Sequence, residues 1–335
     1  MKMNELVTAS SIEAAARLIE NVVVRTPLLP APWLSGLLGG EVRLKCENLQ
    51  RAGAFKIRGA YTAIARLPDD ERRRGVITYS SGNHAQGVAL AAKLFGVPAV
   101  VVMPTTSPAV KREGARRLGA EVILEGTTSV ERERRARAEA AARGLTIIPA
   151  FDHADIIAGQ GTIGVEILED WSDVDTIVVP VGGGGMISGV AAWVARTRPA
   201  CRVIGVEPEN ADAMARALEA GEPVTIEARP TIADGLMPVR AGDLTFAHVR
   251  DLAHGLVRVS DAAIADATAR LLATGKLVAE FSGAATVAAL LSGVIPVSGR
   301  RVAAVVSGGN LDPARALELL GAGADAASAP AGAVA

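Results

Sequence analysis

Apolar positions along the chain switch between two periods. Ser10 and Glu13 form a capping-box pattern, and Ile12, Ala15, Ala16 and Ile19 then fall on one face of a predicted helix. Val42, Leu44 and Cys46 alternate with Glu41, Arg43, Lys45 and Glu47, which predicts a strand with one face toward water. Short apolar runs come next at 75–80 (GVITYS), 99–103 (AVVVM), 121–124 (EVIL), 146–148 (TII), 176–181 (TIVVPV), 202–207 (RVIGVE) and 301–307 (RVAAVVS), and helical segments separate most of them. This alternation predicts an α/β fold of parallel, right-handed βαβ units, with ligands bound outside the carboxyl ends of strands. The run ERERRAR (131–137) alternates in sign at helical spacing and reads as a solvated helix face. The tail GAGADAASAPAGAVA (321–335) has few anchors and reads as a disordered terminus.

Composition narrows the partners. The chain has 335 residues, 50% of them hydrophobic, enough for one large core or two coupled ones. A formal charge of −1 lacks the basic excess that nucleic-acid or polybasic membrane binding needs, so small molecules are expected. Cys46 and Cys201 form no C-x-x-C, and neither a disulfide framework nor a zinc site is expected. The N-terminal MKMNELVTASS lacks the apolar region of a secretory signal, which points to the cytoplasm. Uncharged runs at 176–195 and 282–299 are broken by Gly, Ser or Pro, so no membrane span is expected.

Candidate chemistry gathers at strand ends. In TYSSGNHAQG (78–87), small and amide residues replace bulky ones where a helix begins, leaving backbone N–H groups free for a carboxylate; an ordinary strand-to-helix turn has the same look. His84 has no other histidine nearby in sequence, which argues against a metal role. In VVPVGGGGMISG (178–189), Gly182, Gly183, Gly184 and Gly185 come after a strand and open a helix, so backbone can wrap an anion. This is neither G-x-G-x-x-G nor a P-loop, and a single phosphate suits it better than a dinucleotide. VVSGGN (305–310) places a small hydroxyl, Ser307, at the last strand end. Lys56, in GAFKIRGAYTAI (53–64), stands just ahead of an apolar helix. A lysine for an imine, a phosphate cradle and a small polar group for a ring nitrogen together suggest pyridoxal 5'-phosphate, with Phe55 against the ring.

The motifs FKIRGA, SSGNHAQG, IAGQGT, VVPVGGGG, TIADG and SGGN occur in an order and spacing that resemble the serine and threonine dehydratases and serine racemase, over about residues 10–315. These are pyridoxal-phosphate enzymes of the tryptophan-synthase β type, fold type II. The resemblance implies two open, twisted α/β domains with the cofactor between them: a large one from 1–70 and 153–320, and a small mobile one at 71–152. It makes Lys56 the Schiff-base lysine, puts Phe55 under the ring, and gives Asn83 the ring hydroxyl. Gly182 to Gly185 and Met186 take the phosphate, Ser307 the ring nitrogen, and Gly235 and Glu280 lie near the cofactor. Ser80, Ser81, Gly82, Asn83 and His84 form the loop for the substrate carboxylate. No C-terminal regulatory domain is expected, and a homodimer or larger homo-oligomer is.

The resemblance also frames the reaction. Ser81 matches the second acid/base serine of the racemase, and Arg132 matches an arginine of the racemase and of the hydroxyaspartate dehydratases, against the plain reading of a helix face. Phe151 and Asp152 look like the dehydratases, so the first expectation is dehydration of L-threonine or L-serine to a 2-keto acid and ammonia. Serine racemase or threo-3-hydroxyaspartate ammonia-lyase activity through Ser81 is the alternative. A non-catalytic amino-acid sensor and a nucleotide-binding oxidoreductase stand further off. The family's site for Mg2+ or another divalent cation is half kept: Glu207 and the Ala211 carbonyl match, but Ala213 stands where an aspartate is needed.

Overall fold

The computed structural model describes residues 6–80, 82–107 and 109–318. Its strands are β1 (Leu28–Pro30), β2 (Glu41–Lys45), β3 (Val76–Tyr79), β4 (Ala99–Met103), β5 (Glu121–Leu124), β6 (Thr146–Ile147), β7 (Thr176–Pro180), β8 (Arg202–Pro208), β9 (Leu256–Val259) and β10 (Arg301–Val305). They form two sheets, one of order β1-β2-β10-β7-β8-β9 and one of order β5-β4-β3-β6. Every pairing is parallel except β1 with β2. All the predicted strands are present. The pattern missed β1 and β9, the two edges of the larger sheet, because one is three residues with a proline and the other is only half-buried.

Two local expectations differ from the structure. The first helix, Ala9–Ile19, is capped by Thr8 rather than Ser10: Thr8 is extended, and its hydroxyl accepts from Ser11 N at 3.2 Å. The expected buried positions Ile12, Ala15 and Ile19 hold.

The polar face of β2 meets water only at its start: Glu41 is exposed and Arg43 partly so, but the face is buried from Lys45 on. Parallel sheets are covered on both faces, and here the helix Ala154–Asp170 supplies a carboxylate against it. Lys45 is fully buried, donating to Thr26 O at 2.6 Å and Glu166 Oε2 at 2.5 Å. Just past β2, Glu47 is also buried and accepts from Arg58 Nε and Nη2, each at 2.8 Å. Arg58 Nη1 continues to Glu166 Oε1 at 2.7 Å. Two cations and two carboxylates thus balance inside the protein. Burial alone would raise the Glu47 carboxyl, but the charge and hydrogen bonds of Arg58 outweigh it and hold it below the usual range.

Arg58 sits on the helix Ile57–Ala65, directly after Lys56. Ile57, Ala60, Ala63 and Ile64 of that helix share a core with Val76, Val88, Val101 and Met103. Lys56 therefore stands where the two sheets' layers meet, ahead of a helix whose apolar side joins the smaller sheet's core and whose Arg58 reaches the charge network beside β2.

Candidate functional site

Strands β2, β10 and β7 are neighbours running the same way, so the segments leaving their carboxyl ends converge. After β10, Ser307 is buried, and its carbonyl accepts from Phe55 N at 3.2 Å. Next to Phe55, Lys56 Nζ donates to Ala150 O at 2.9 Å and lies 5.1 Å from the centre of the Phe55 ring. Burial pushes the Lys56 amine down to about 8. No carboxylate pairs with it among the described residues.

Beyond β7, the glycine run opens the helix Gly185–Thr197, whose first N–H groups have no partner within the helix. Gly184 has φ +92, a left-handed conformation that suits glycine. At Gly183 the demand is space: a Cβ there would sit 2.2 Å from the Phe151 ring. Phe151 adjoins Ala150, the lysine's acceptor, so one short segment links Lys56 to the glycine cradle. Thr245 Oγ1 fixes the loop by donating to Gly183 O at 2.7 Å. Asp152 in turn accepts from the backbone N–H groups of Asp243, Leu244 and Thr245, at 3.1, 3.0 and 3.0 Å.

The smaller sheet contributes the end of β3. Ser80 Oγ accepts from Gly82 N at 3.3 Å, and the helix Asn83–Phe95 begins there. Ser81 lies outside the described residues, as does the tail expected to be disordered. Asn83 Nδ2 donates to Glu280, while Asn83 Oδ1 accepts from Asn310 Nδ2 at 2.9 Å. An amide nitrogen carries two hydrogens, so Asn83 keeps a donor for a ligand. His84 is buried, with Nε2 hydrogen-bonded to Ile148 O at 3.1 Å and Nδ1 unpartnered. Burial, with the charge of Lys56, pushes its pKa to about 3, which leaves the ring neutral. Glu280 is buried too; burial first, then the charge of Asp234, raises it to about 7, with Lys111 opposing. Gly235 N donates to Ser282 Oγ at 2.8 Å, and a Cβ on Gly182 would come within 3.4 Å of Gly235 O.

Three residues at this site had no role assigned from the sequence. Asn310 was legible as the end of SGGN and Asp234 as a member of TIADG, but Lys111 carried no signal. Arg132 lies on the helix Ser129–Arg143 of the smaller-sheet layer, where its Nη1 donates to Thr127 O at 3.2 Å and its Nε is buried without a partner.

The cation site does not fit a metal. Glu207 is buried, and its two oxygens accept from Met214 N and Ala215 N, each at 2.9 Å, capping the helix Ala213–Ala220. Ala211 can offer only its carbonyl, and Ala213 brings no oxygen in its side chain. Asp212, the nearby carboxylate, pairs with Arg216 at 3.0 Å and Arg258 at 2.8 Å. Among the described residues no three His, Cys, Asp or Glu side chains gather as a metal would need.

A half-buried lysine with no carboxylate partner and a glycine run that opens a helix, both where two mainly parallel sheets meet, are the parts that a lysine-anchored cofactor enzyme requires. The family model "Pyridoxal-phosphate dependent enzyme" matches residues 19–308, and the chain belongs to that family. It is 48% identical to the L-threonine ammonia-lyase of Thermotoga maritima over 92% of this chain and 76% of that one. With the L-threo-3-hydroxyaspartate ammonia-lyase of a Pseudomonas species it shares 41% identity, over 92% of this chain and 97% of the other. The structure of maize serine racemase superposes with a TM-score of 0.91 at 38% identity, covering 96% of this chain and 99% of that one. No helix among the described residues is long and apolar enough to cross a membrane.

Proposed function

We propose that the chain is an ammonia-lyase that removes the β-hydroxyl of L-threonine or L-serine and yields a 2-keto acid and ammonia. The observation that carries this reading is Lys56: an amine held near pKa 8 by burial, free of any carboxylate and next to the cradle formed after β7. Pyridoxal 5'-phosphate, when bound, supplies an aldehyde for the lysine and a conjugated ring over which negative charge at the substrate's α-carbon spreads. Backbone amides of Gly182 to Gly185 and Met186 would hold its phosphate. Phe55 would face its ring, Asn83 would offer its spare amide hydrogen to the ring hydroxyl, and Ser307 would offer a neutral hydroxyl to the ring nitrogen. Gly235 and Glu280 would line the same site.

The chain's own groups then handle the protons. Lys56 Nζ, neutral in a useful fraction near pH 8, accepts the α-proton; the same amine in water would be almost wholly charged. The N–H groups of Asn83 and His84, at the start of the helix Asn83–Phe95, receive the substrate carboxylate, and the neutral His84 ring brings no competing charge. Borohydride reduction and then peptide mass spectrometry test the anchor: the adduct is expected on Lys56, and an adduct on Lys45 or Lys93 overturns the assignment. Ammonia and keto-acid release from L-threonine and L-serine tests the reaction, and binding without release marks a sensor.

The likeness to serine racemases, with a serine at 81, favours a second activity on the same site. Racemisation needs a proton donor on the face opposite Lys56. Ser81→Ala is expected to lower serine racemisation by about 10²-fold while much of the L-dehydration remains, since a positioned acid or base contributes roughly that much. Equal loss of both activities, read by chiral chromatography beside a keto-acid assay, refutes a second-face role.

A further inference from the structure

One charged pair spans the two sheet layers at the mouth of the site. Lys111 stands on the helix Ala109–Arg117, which connects β4 to β5. Its side chain is only 11% exposed, and its ammonium is ion-paired with the carboxylate of Asp234. Asp234 opens the single turn Asp234–Leu236 and directly precedes Gly235. The lysine also runs along the carboxylate-receiving turn, because a Cβ on Gly82 would lie 3.4 Å from Lys111 Nζ and 3.5 Å from its Cδ. Among the described residues this is the one ion pair joining residues 76–147 to the rest of the protein. Hydrogen bonds of Asn83 with Glu280 and with Asn310 cross the same boundary at the start of the helix Asn83–Phe95.

A lysine in this place is well suited to hold and poorly suited to react. Its stem covers Gly82, whose lack of a side chain leaves room for it, and its charge is already matched by Asp234. A second negative group on a ligand would gain from Lys111 what it lost to Asp234. We infer that Lys111 is a positioning residue: through Asp234 it fastens the Gly82–His84 segment to the Gly235 segment and so shapes the wall that the substrate carboxylate meets. The inference deepens the ammonia-lyase reading, since it takes the Gly82–His84 segment as the carboxylate receiver, but the fastening itself is independent of the reaction.

Two measurements on the full-length holoenzyme test it. Hydrogen exchange reads the fastening directly: in Lys111→Met and in Asp234→Asn, amides of residues 80–87 are expected to exchange about tenfold faster than in wild type, while those of β7 and β10 stay unchanged. Steady-state kinetics reads the consequence: KM for the amino acid rises by about tenfold in either variant, with kcat within about threefold, because the pair acts on binding rather than on proton transfer. The charge swap Lys111→Asp with Asp234→Lys is expected to recover much of both effects, as a direct pair should. Unchanged exchange at 80–87 overturns the fastening, whatever the enzyme's reaction proves to be. Faster exchange with an unchanged KM, or a loss confined to kcat, overturns the positioning role. A charge swap no better than the two single changes combined overturns the pairing. If the wild-type protein released no ammonia, the ammonia-lyase reading would fail while the exchange result still decided the fastening.

Discussion

Gly183→Ala isolates what the glycine run contributes before any ligand arrives. Carbon atoms in ordinary contact sit about 3.5–4.0 Å apart, and the added methyl would start 2.2 Å from two atoms of the Phe151 ring. The ring must therefore retreat by more than about 1 Å. Phe151 is half-buried and its backbone lies against Gly185, where a Cβ would come within 3.1 Å of it, so it cannot swing away freely. Overpacking of this kind costs about 1–3 kcal/mol. Urea denaturation of the cofactor-free protein should show that loss in the wild-type background. In a Phe151→Ala background, where the obstructing ring is gone, the same Gly183→Ala change should cost less than about 0.5 kcal/mol, the usual range for substitutions that meet nothing. Cofactor titration of all four proteins adds the second half: if the cradle needs both room and bare backbone, affinity for pyridoxal phosphate falls with Gly183→Ala even where stability is restored. Equal destabilisation in both backgrounds refutes the packing argument.

The buried charges give two more expected outcomes. Arg58→Met strands Glu47 and removes one partner of Glu166, so a loss of about 3–5 kcal/mol is expected. In wild type Glu47 is held below its unfolded pKa, so its contribution is present above that value and fades as acid protonates it; stranded in the variant, its pKa moves above the unfolded value and the sign reverses. The deficit should therefore be smaller at about pH 5 than at about pH 7 in urea titrations, and a pH-independent deficit contradicts the charge argument. For Lys56, the folded amine sits near 8 against 10.5 for an unperturbed one, so the cofactor-free protein gains stability as pH rises from about 8 to 10.5. Lys56→Met should lack that rise, worth on the order of 3 kcal/mol, and matching pH profiles for the two proteins would show that burial does not depress the amine.

Local pattern carried much of this protein. Short apolar runs announced β3 to β8 and β10, and glycine, lysine and small polar residues marked the segments proposed as anchor and cradle, because strands and tight turns depend on neighbours in the chain. Features that join residues far apart in the chain left no such mark. The Lys45 end of β2's polar face reads as water-facing until Glu166, 121 positions from Lys45, arrives to neutralise it. Gly183 reads as a phosphate turn, and only the packed structure brings the Phe151 ring against it. Lys111 and Asp234 lie 123 positions apart and fall on separate sheets' layers. Charge pairs and packing contacts at such separations exist only once the sheets have formed and stacked, since no period in the sequence records which buried charge will meet which.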